Sequence, residues 1–222
     1  MDNDIKKYKK KWFGYFDLLG FSNLVQHQEI SDVLRVYKEV IKLLKDDEKA
    51  ERLGISYSWF SDTFIVYTRG ASLKEFARIE HFCRMFFQRL ILRSIPVRGS
   101  LSVGLMYTNR KQHTYIGPAL IEAYHYGEDP NWIGFVLTPS VSKELAATEI
   151  PIEKRSFYRS VPKEVQRKLD YNGAFAFAFN NGSVNGQNPY LASIRDMETT
   201  APTKGVKLKY KNTIDFLMKH SY

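Results

Sequence analysis

Two stretches of this chain run through aromatic and apolar residues into an aspartate: WFGYFDLLGFS (Trp12 to Ser22) and ISYSWFSDTFIVYT (Ile55 to Thr68). Runs of this composition bounded by Gly or Ser read as strands. Trp12 to Leu19 is expected as a strand ending in the Gly20 turn, with Ser22 opening a helical stretch. Ile55 to Phe60 and Thr63 to Thr68 are expected as the arms of a hairpin with Ser61-Asp62 at its bend. A chain patterned this way has to build a sheet whose strand ends carry two carboxylates, Asp17 and Asp62.

The rest of the pattern fits helices around that sheet. A helix is expected from Ser31, a good N-cap, with Val33, Leu34, Tyr37, Val40, Ile41 and Leu44 at helical spacing and Gly54 ending the connection. Ser72 with Glu75 forms a capping box. The helix it opens carries Phe76, Ile79, Phe82, Cys83, Phe86, Phe87, Leu90 and Ile91, and stops before Pro96. VRGSLSVGLMY (Val97 to Tyr107) reads as a strand in which Gly99 and Gly104 permit close backbone approach. Ile116 to Gly127 reads as a turn and helix with Pro118 near its first turn, and Trp132 to Leu137 as a buried strand.

The order is β-α-β-β-α-β-α-β. Its first six elements follow the split ferredoxin-like plan, with antiparallel pairs and helices on one face. Beyond Thr138 the pattern weakens. Phe157 to Leu169 is polar and irregular, Gly173 to Phe179 alternates like a strand, Asn180 to Asn188 is a loop, and Ile214 to Met218 belongs to a short terminal helix. The expectation is one α+β domain over residues 1–222, with a core at about 12–142 and a C-terminal elaboration at about 143–222.

Composition removes several classes. With 44% apolar residues in 222, the chain can fill one good-sized core. Cys83 is its single cysteine, so neither a disulfide framework nor a cysteine metal cluster forms within one chain, and Cys83 reads as a small core thiol. No apolar run approaches the about 18 residues of a membrane span. MDNDIKKYKKKW lacks the apolar segment of a signal peptide, so a cytoplasmic protein is expected. The net charge of +9 suits a polyanionic partner, such as nucleoside triphosphates, nucleic acid or an anionic membrane face. The lysines cluster at Lys6, Lys7, Lys9, Lys10 and Lys11 and at Lys204, Lys207, Lys209 and Lys211, where they read equally as solvated surface.

Two carboxylates delivered by adjacent strands are what a two-metal phosphoryl-transfer site needs. Hard cations take oxygen ligands, and one or two carboxylates plus substrate phosphates complete the shell. Asp17 taken alone is a strand-end cap; the pair in this order is what points to metal.

These residues resemble the class III nucleotidyl cyclase catalytic domain over about Trp12 to Leu137. FDLLGFS looks like the family's first metal segment and SDTFIVYT like its second. VRGSLSVG matches the Arg-then-Gly spacing of the strand after the long helix, and GPALIEAYHYGE sits where the family has its Asn- and Arg-bearing helix. GPALIEAYHYGE and WIGFVLTPSV look more narrowly like the pyrimidine nucleotide cyclases of bacterial Pycsar anti-phage systems. The resemblance implies a palm-type, mainly antiparallel sheet and conversion of CTP or UTP to cyclic CMP or cyclic UMP plus pyrophosphate. It implies two divalent ions, Mn²⁺ or Mg²⁺, held by Asp17, Asp62 and the backbone carbonyl of Leu18. It places Leu19, Gly20, Phe21 and Ser22 at the phosphates. It further implies a head-to-tail homodimer with sites at the interface, and a separate effector protein for the cyclic nucleotide.

Two departures from the family stand out. Its transition-state Asn and Arg fall near Ile121 and His125, so another cation has to offset charge at the α-phosphate. Arg98, Lys111, His113 and His125 are the candidates, and Lys204 is similar in placement to a phosphate-binding lysine of the family. The purine-reading pair of the family, Lys with Asp or Glu with Cys, falls at Ser58 and Thr114, with Tyr57 adjacent as a stacking or hydrogen-bonding candidate. Other readings are a purine cyclase or another palm-type nucleotidyltransferase, and an inactive cyclase homologue that senses a nucleotide. A basic nucleic-acid-binding module is disfavoured, since the chain carries no recognisable motif for one.

Overall fold

The computed structural model describes residues 8–45, 54–146, 148, 151–152, 155, 157–179 and 188–220. In chain order the elements are β1 (Lys9–Leu18), α1 (Phe21–His27), α2 (Ile30–Lys45), β2 (Ile55–Phe60), β3 (Thr63–Thr68), α3 (Leu73–Ile91), β4 (Val97–Asn109), β5 (Thr114–Ile116), α4 (Pro118–Glu128), β6 (Phe135–Leu137), α5 (Pro139–Leu145), β7 (Tyr158–Ser160), β8 (Phe175–Phe177), α6 (Pro189–Thr199) and α7 (Lys204–His220). The sheet order is β2-β3-β1-β4-β6-β8-β7, with β5 paired to β4 beside that path. The first four strands have the ferredoxin-like order and are antiparallel to their neighbours. β6 adds in parallel to β4. The expected α+β class and mainly antiparallel sheet are therefore what the chain builds.

Strand alternation sorts β1 into two faces. Trp12, Phe16 and Leu18 enter the larger core, with Ile79, Phe82, Cys83, Phe86 and Phe87 of α3. Cys83 is fully buried there, as a core thiol should be. Phe13 and Tyr15 join a second cluster with Ile65, Tyr67, Met106, Ala119 and Ala123. The plan expected for the first six elements, with helices on one face, thus holds through β4, and α4 then covers the opposite face. Two buried serines of β4 fix it there. Ser100 Oγ donates to the Ala123 carbonyl, and Ser102 Oγ donates to that of Ala119 at 2.7 Å. Gly127 completes the fit: a Cβ there would stand 2.7 Å from Tyr15 Cδ1.

Several boundaries differ from the sequence expectation. β1 starts at Lys9 because its register with β4 continues to Met106. Lys11 is accordingly buried rather than solvated, with Nζ donating to Thr108 Oγ1 and 5.4 Å from the Tyr67 ring centroid. Lys6, Lys7 and residues 180–187 of the expected loop lie outside the described residues. α2 begins at Ile30, which puts Ser31 inside the helix instead of at its cap. The Ser72–Glu75 capping box is present as expected. The strand expected from Trp132 is confined to Phe135–Leu137. Trp132 instead packs its ring 5.0 Å from Phe216, and the Ile133 amide donates to Thr213 Oγ1 at 2.9 Å.

Beyond residue 142 the described residues carry more regular structure than the sequence indicates. β7 lies inside the stretch expected to be irregular, α6 has no counterpart in the sequence reading, and the terminal helix is 17 residues long. β7 and β8 extend the main sheet, and Ile194, Phe216 and Leu217 enter its larger core. Among the described residues, no helix is long and apolar enough to cross a membrane.

Candidate active site

Asp17 sits at the C-terminal end of β1 on the α4 face, directly opposite Thr63 of β3 and Arg98 of β4. Residues opposite one another on neighbouring strands share a face, so Arg98 lies beside Asp17 by register alone. Its Nε donates to Asp17 Oδ2 at 3.0 Å. Its other end reaches α4, where Nη1 donates to the Glu128 carbonyl at 2.9 Å and Nη2 pairs with Glu128 Oε2. Glu128 Oε1 in turn accepts from Tyr15 Oη at 3.0 Å. Asp62 comes to the same place through the β2–β3 turn. Ser61 takes a left-handed φ of 54° there, and the Asp62 carbonyl accepts from the Leu18 amide at 3.1 Å.

The site is short of positive charge. The Asp17 side chain is only 14% exposed. Burial pushes its carboxyl up, Arg98 pulls it back, and the charges of Glu128 and Asp62 raise it again, to about 6. Three carboxylates face one guanidinium and one lysine. That lysine is Lys209 of α7, whose ammonium pKa is lowered by burial, then by Arg98 and Arg167, while Glu128 and Asp17 oppose the shift. Burial and the charge of Asp62 also raise the phenol of Tyr37 on α2.

The donor set suits hard divalent ions. Asp17 Oδ1 is not engaged by Arg98, Asp62 is half-buried nearby, and the Leu18 backbone lies between them. Among the described residues no group of three or more His, Cys, Asp or Glu is arranged to hold a metal. Two carboxylates match a shell that substrate phosphates complete.

The remaining candidates divide. The Leu19 amide is committed to the Pro96 carbonyl at 2.9 Å, so it cannot meet a phosphate; Gly20, with φ of 77°, leads into Phe21 and Ser22 at the start of α1, where amides lack helical partners. Tyr57 and Ser58 point to opposite faces of β2. Tyr57 stacks 6.1 Å from Trp59 with the Arg110 guanidinium 5.5 Å over its ring, whereas Ser58 is buried on the Asp17 face. They therefore do not line one pocket in a single chain. Thr114 lies on β5 with its hydroxyl donating to the Gln112 carbonyl at 3.1 Å. Lys111 and His113 are exposed in the turn before β5, Ile121 and His125 are exposed on α4, and Lys204 is exposed at the start of α7. None of these five is brought to Asp17; only Arg98 is.

Glu128, Tyr15 and Lys209 were missed as site residues. Tyr15 was recoverable, since it precedes Asp17 by two positions on the same strand face. Glu128 had a signal as well: an acid in the last turn of a helix opposes the helix dipole and calls for a cation partner. Lys209 had none, being one of several lysines in a polar stretch.

No protein-family model matches this sequence, and no curated protein matches it. Solved structures do match the fold. The monomeric guanylyl cyclase domain of the RhoGC fusion protein from the aquatic fungus Blastocladiella emersonii superposes with a TM-score of 0.56 at 13% identity, over 77% of this chain and 95% of that one. The guanylate cyclase domain of RhGC from Catenaria anguillulae, solved in complex with GTP, gives 0.55 at 12% identity, over 77% and 96%. A bacterial light-regulated adenylyl cyclase gives 0.51 at 15% identity, over 86% and 98%. The chain has the fold of class III nucleotide cyclase catalytic domains.

Proposed function

We propose that this protein is a metal-dependent nucleotide cyclase that converts CTP or UTP to 3′,5′-cyclic CMP or cyclic UMP and pyrophosphate, as a messenger synthase in anti-phage defence. The observation that carries the cyclase reading is the meeting of Asp17 and Asp62 at one end of the central strands, on a fold that cyclase domains share. Asp17 Oδ1, Asp62 and the Leu18 carbonyl would hold two Mn²⁺ or Mg²⁺ ions. Metal bound there would supply Lewis acidity for a more acidic substrate 3′-hydroxyl and positive charge for the triphosphate. The attacking hydroxyl belongs to the substrate, so the chain's own task is positioning and electrostatics. Arg98 fixes the rotamer of Asp17, and the turn from Gly20 to Ser22 offers amides to phosphate oxygens.

The pyrimidine preference rests on the short hydroxyls of Ser58 and Thr114 at the positions that read purines in the family. Its place in defence rests on the resemblance of GPALIEAYHYGE and WIGFVLTPSV to Pycsar cyclases, as does a separate effector protein. A homodimer fits the exposed apolar side chains of the α4 face, since Ile121 and His125 point away from the Asp17 of their own chain. A purine substrate is the second reading, favoured by the guanylyl and adenylyl cyclases that share the fold.

The test is incubation of the pure protein with CTP, UTP, ATP or GTP and Mn²⁺, with products identified by mass spectrometry beside Asp17→Asn and Asp62→Asn. A cyclic pyrimidine product that disappears in both variants is the expected result. A cyclic purine product moves the assignment to the second reading. No product from any nucleotide points to an inactive nucleotide sensor.

A further inference from the structure

A cleft of about 660 Å³ opens between β7, the turn that follows it and the last turns of α7. None of Asp17, Asp62, Arg98, Glu128 and Lys209 lines it. On α7 the lining runs from Asn212, three residues after Lys209, to His220, and the cationic end at Lys219 lies ten residues beyond Lys209, roughly 15 Å along the helix. The cleft volume falls among those of sites that enclose small ligands, about 300–1,000 Å³.

Its lining combines three chemistries. Arg159, Lys163 and Lys219 bring cationic side chains from both walls. Burial, then the charges of Arg159 and Lys219, lower the His220 pKa, so positive charge converges on that imidazole. Phe216 is only 3% exposed and backs His220 at 4.9 Å between ring centroids, so the half-buried imidazole is the ring surface the cleft presents. Glu164 and Asp215 supply carboxylates. Among the described residues, Lys163 and Lys219 form no ion pair with either of them.

Cations of this kind take phosphate oxygens. Ring surface takes a base face, and carboxylates accept from sugar hydroxyls. We propose that this cleft binds a nucleoside phosphate at a second site, through Arg159, Lys163 and Lys219 on the phosphate and the His220 imidazole beside the base. The proposal stands whether or not the Asp17 site is catalytic.

The experiment is isothermal titration calorimetry in EDTA, which silences metal-dependent binding, using 5′-CMP, 5′-AMP and inorganic phosphate. The proteins are wild type, Lys163→Glu, Lys219→Glu and Asp62→Asn. Both lysines are exposed, so reversing their charge leaves the core untouched. At least one nucleotide should bind wild type and Asp62→Asn alike, and bind each lysine variant about tenfold more weakly, a difference of ~1.4 kcal/mol. Inorganic phosphate should bind wild type about tenfold more weakly than that nucleotide. Three results would overturn the proposal: no binding at millimolar nucleotide, binding lost in Asp62→Asn but kept in the lysine variants, or phosphate binding as tightly as the nucleotides.

Discussion

Arg98 joins Asp17 to Glu128: its Nε lies 3.0 Å from Asp17 Oδ2 while Nη2 pairs with Glu128 Oε2. One guanidinium thereby ties the end of β1 to the end of α4. Removing it would leave two half-buried carboxylates facing each other. Breaking a buried pair from one side costs about 3–5 kcal/mol. Arg98→Leu should lose stability of that order in urea denaturation. Arg98→Leu with Glu128→Leu should recover part of the loss, because the double variant strands one carboxylate instead of two. Equal stability for the single and double variants would show that Glu128 does not depend on Arg98.

Asp17 sets a pH dependence in metal-free protein. Its folded pKa of about 6 lies above its ordinary value near 3.8. Between those values the folded chain holds a proton that the unfolded chain has released, so stability falls as pH rises through the window. The total is about 3 kcal/mol by pH 7. Urea midpoints in EDTA from pH 4 to 7 should decline in wild type and decline less in Asp17→Asn. Parallel profiles would place the titration elsewhere.

Lys11 has the opposite slope at alkaline pH. Burial, then Lys9, lowers its pKa below 10.5. Below the folded value the buried ammonium carries its full desolvation cost. As pH rises from there toward 10.5, the folded chain gives up a proton that the unfolded chain keeps, and stability recovers. Lys11→Met should therefore raise Tm at pH 7 by roughly 2–4 °C. Its advantage should shrink as pH approaches 10.5. A lower Tm at pH 7 would show that the Thr108 and Tyr67 contacts outweigh the desolvation.

The outer side of α4 bears on the proposed homodimer. Ile121 is 56% exposed and Tyr124 46%, with Ile116 of β5 at 62% nearby in the chain. Ile121→Asp should yield a monomer by light scattering and reduce cyclase activity by about tenfold or more. Stability of the monomer should change by only about 0.5 kcal/mol, as for a surface substitution. A fully active monomer would remove the interface from the mechanism.

The sheet and its Asp pair were legible because strand alternation and turn residues act locally: WFGYFD and ISYSWFSD carry their structure in a few positions. The Ser72–Glu75 cap was legible for the same reason. Of α7 only the end, Ile214 to Met218, was legible, since KGVKLKYKN spreads apolar residues thinly among lysines and the helix owes its place to contacts such as Phe216 on Trp132. The partners of Asp17 were half legible. Arg98 stood out by its spacing from Gly99, whereas Glu128 and Lys209 meet it only through tertiary packing that no window of sequence contains.

The serine contacts under α4 have a mechanical consequence. Ser100 and Ser102 grip carbonyls one helical turn apart, so the helix cannot glide over the sheet by fractions of a turn. It can only stay seated or unlatch, as a ratchet pawl does. Glu128 rides on its last turn, so any partner that loosens α4 would release Arg98 in one step rather than by degrees.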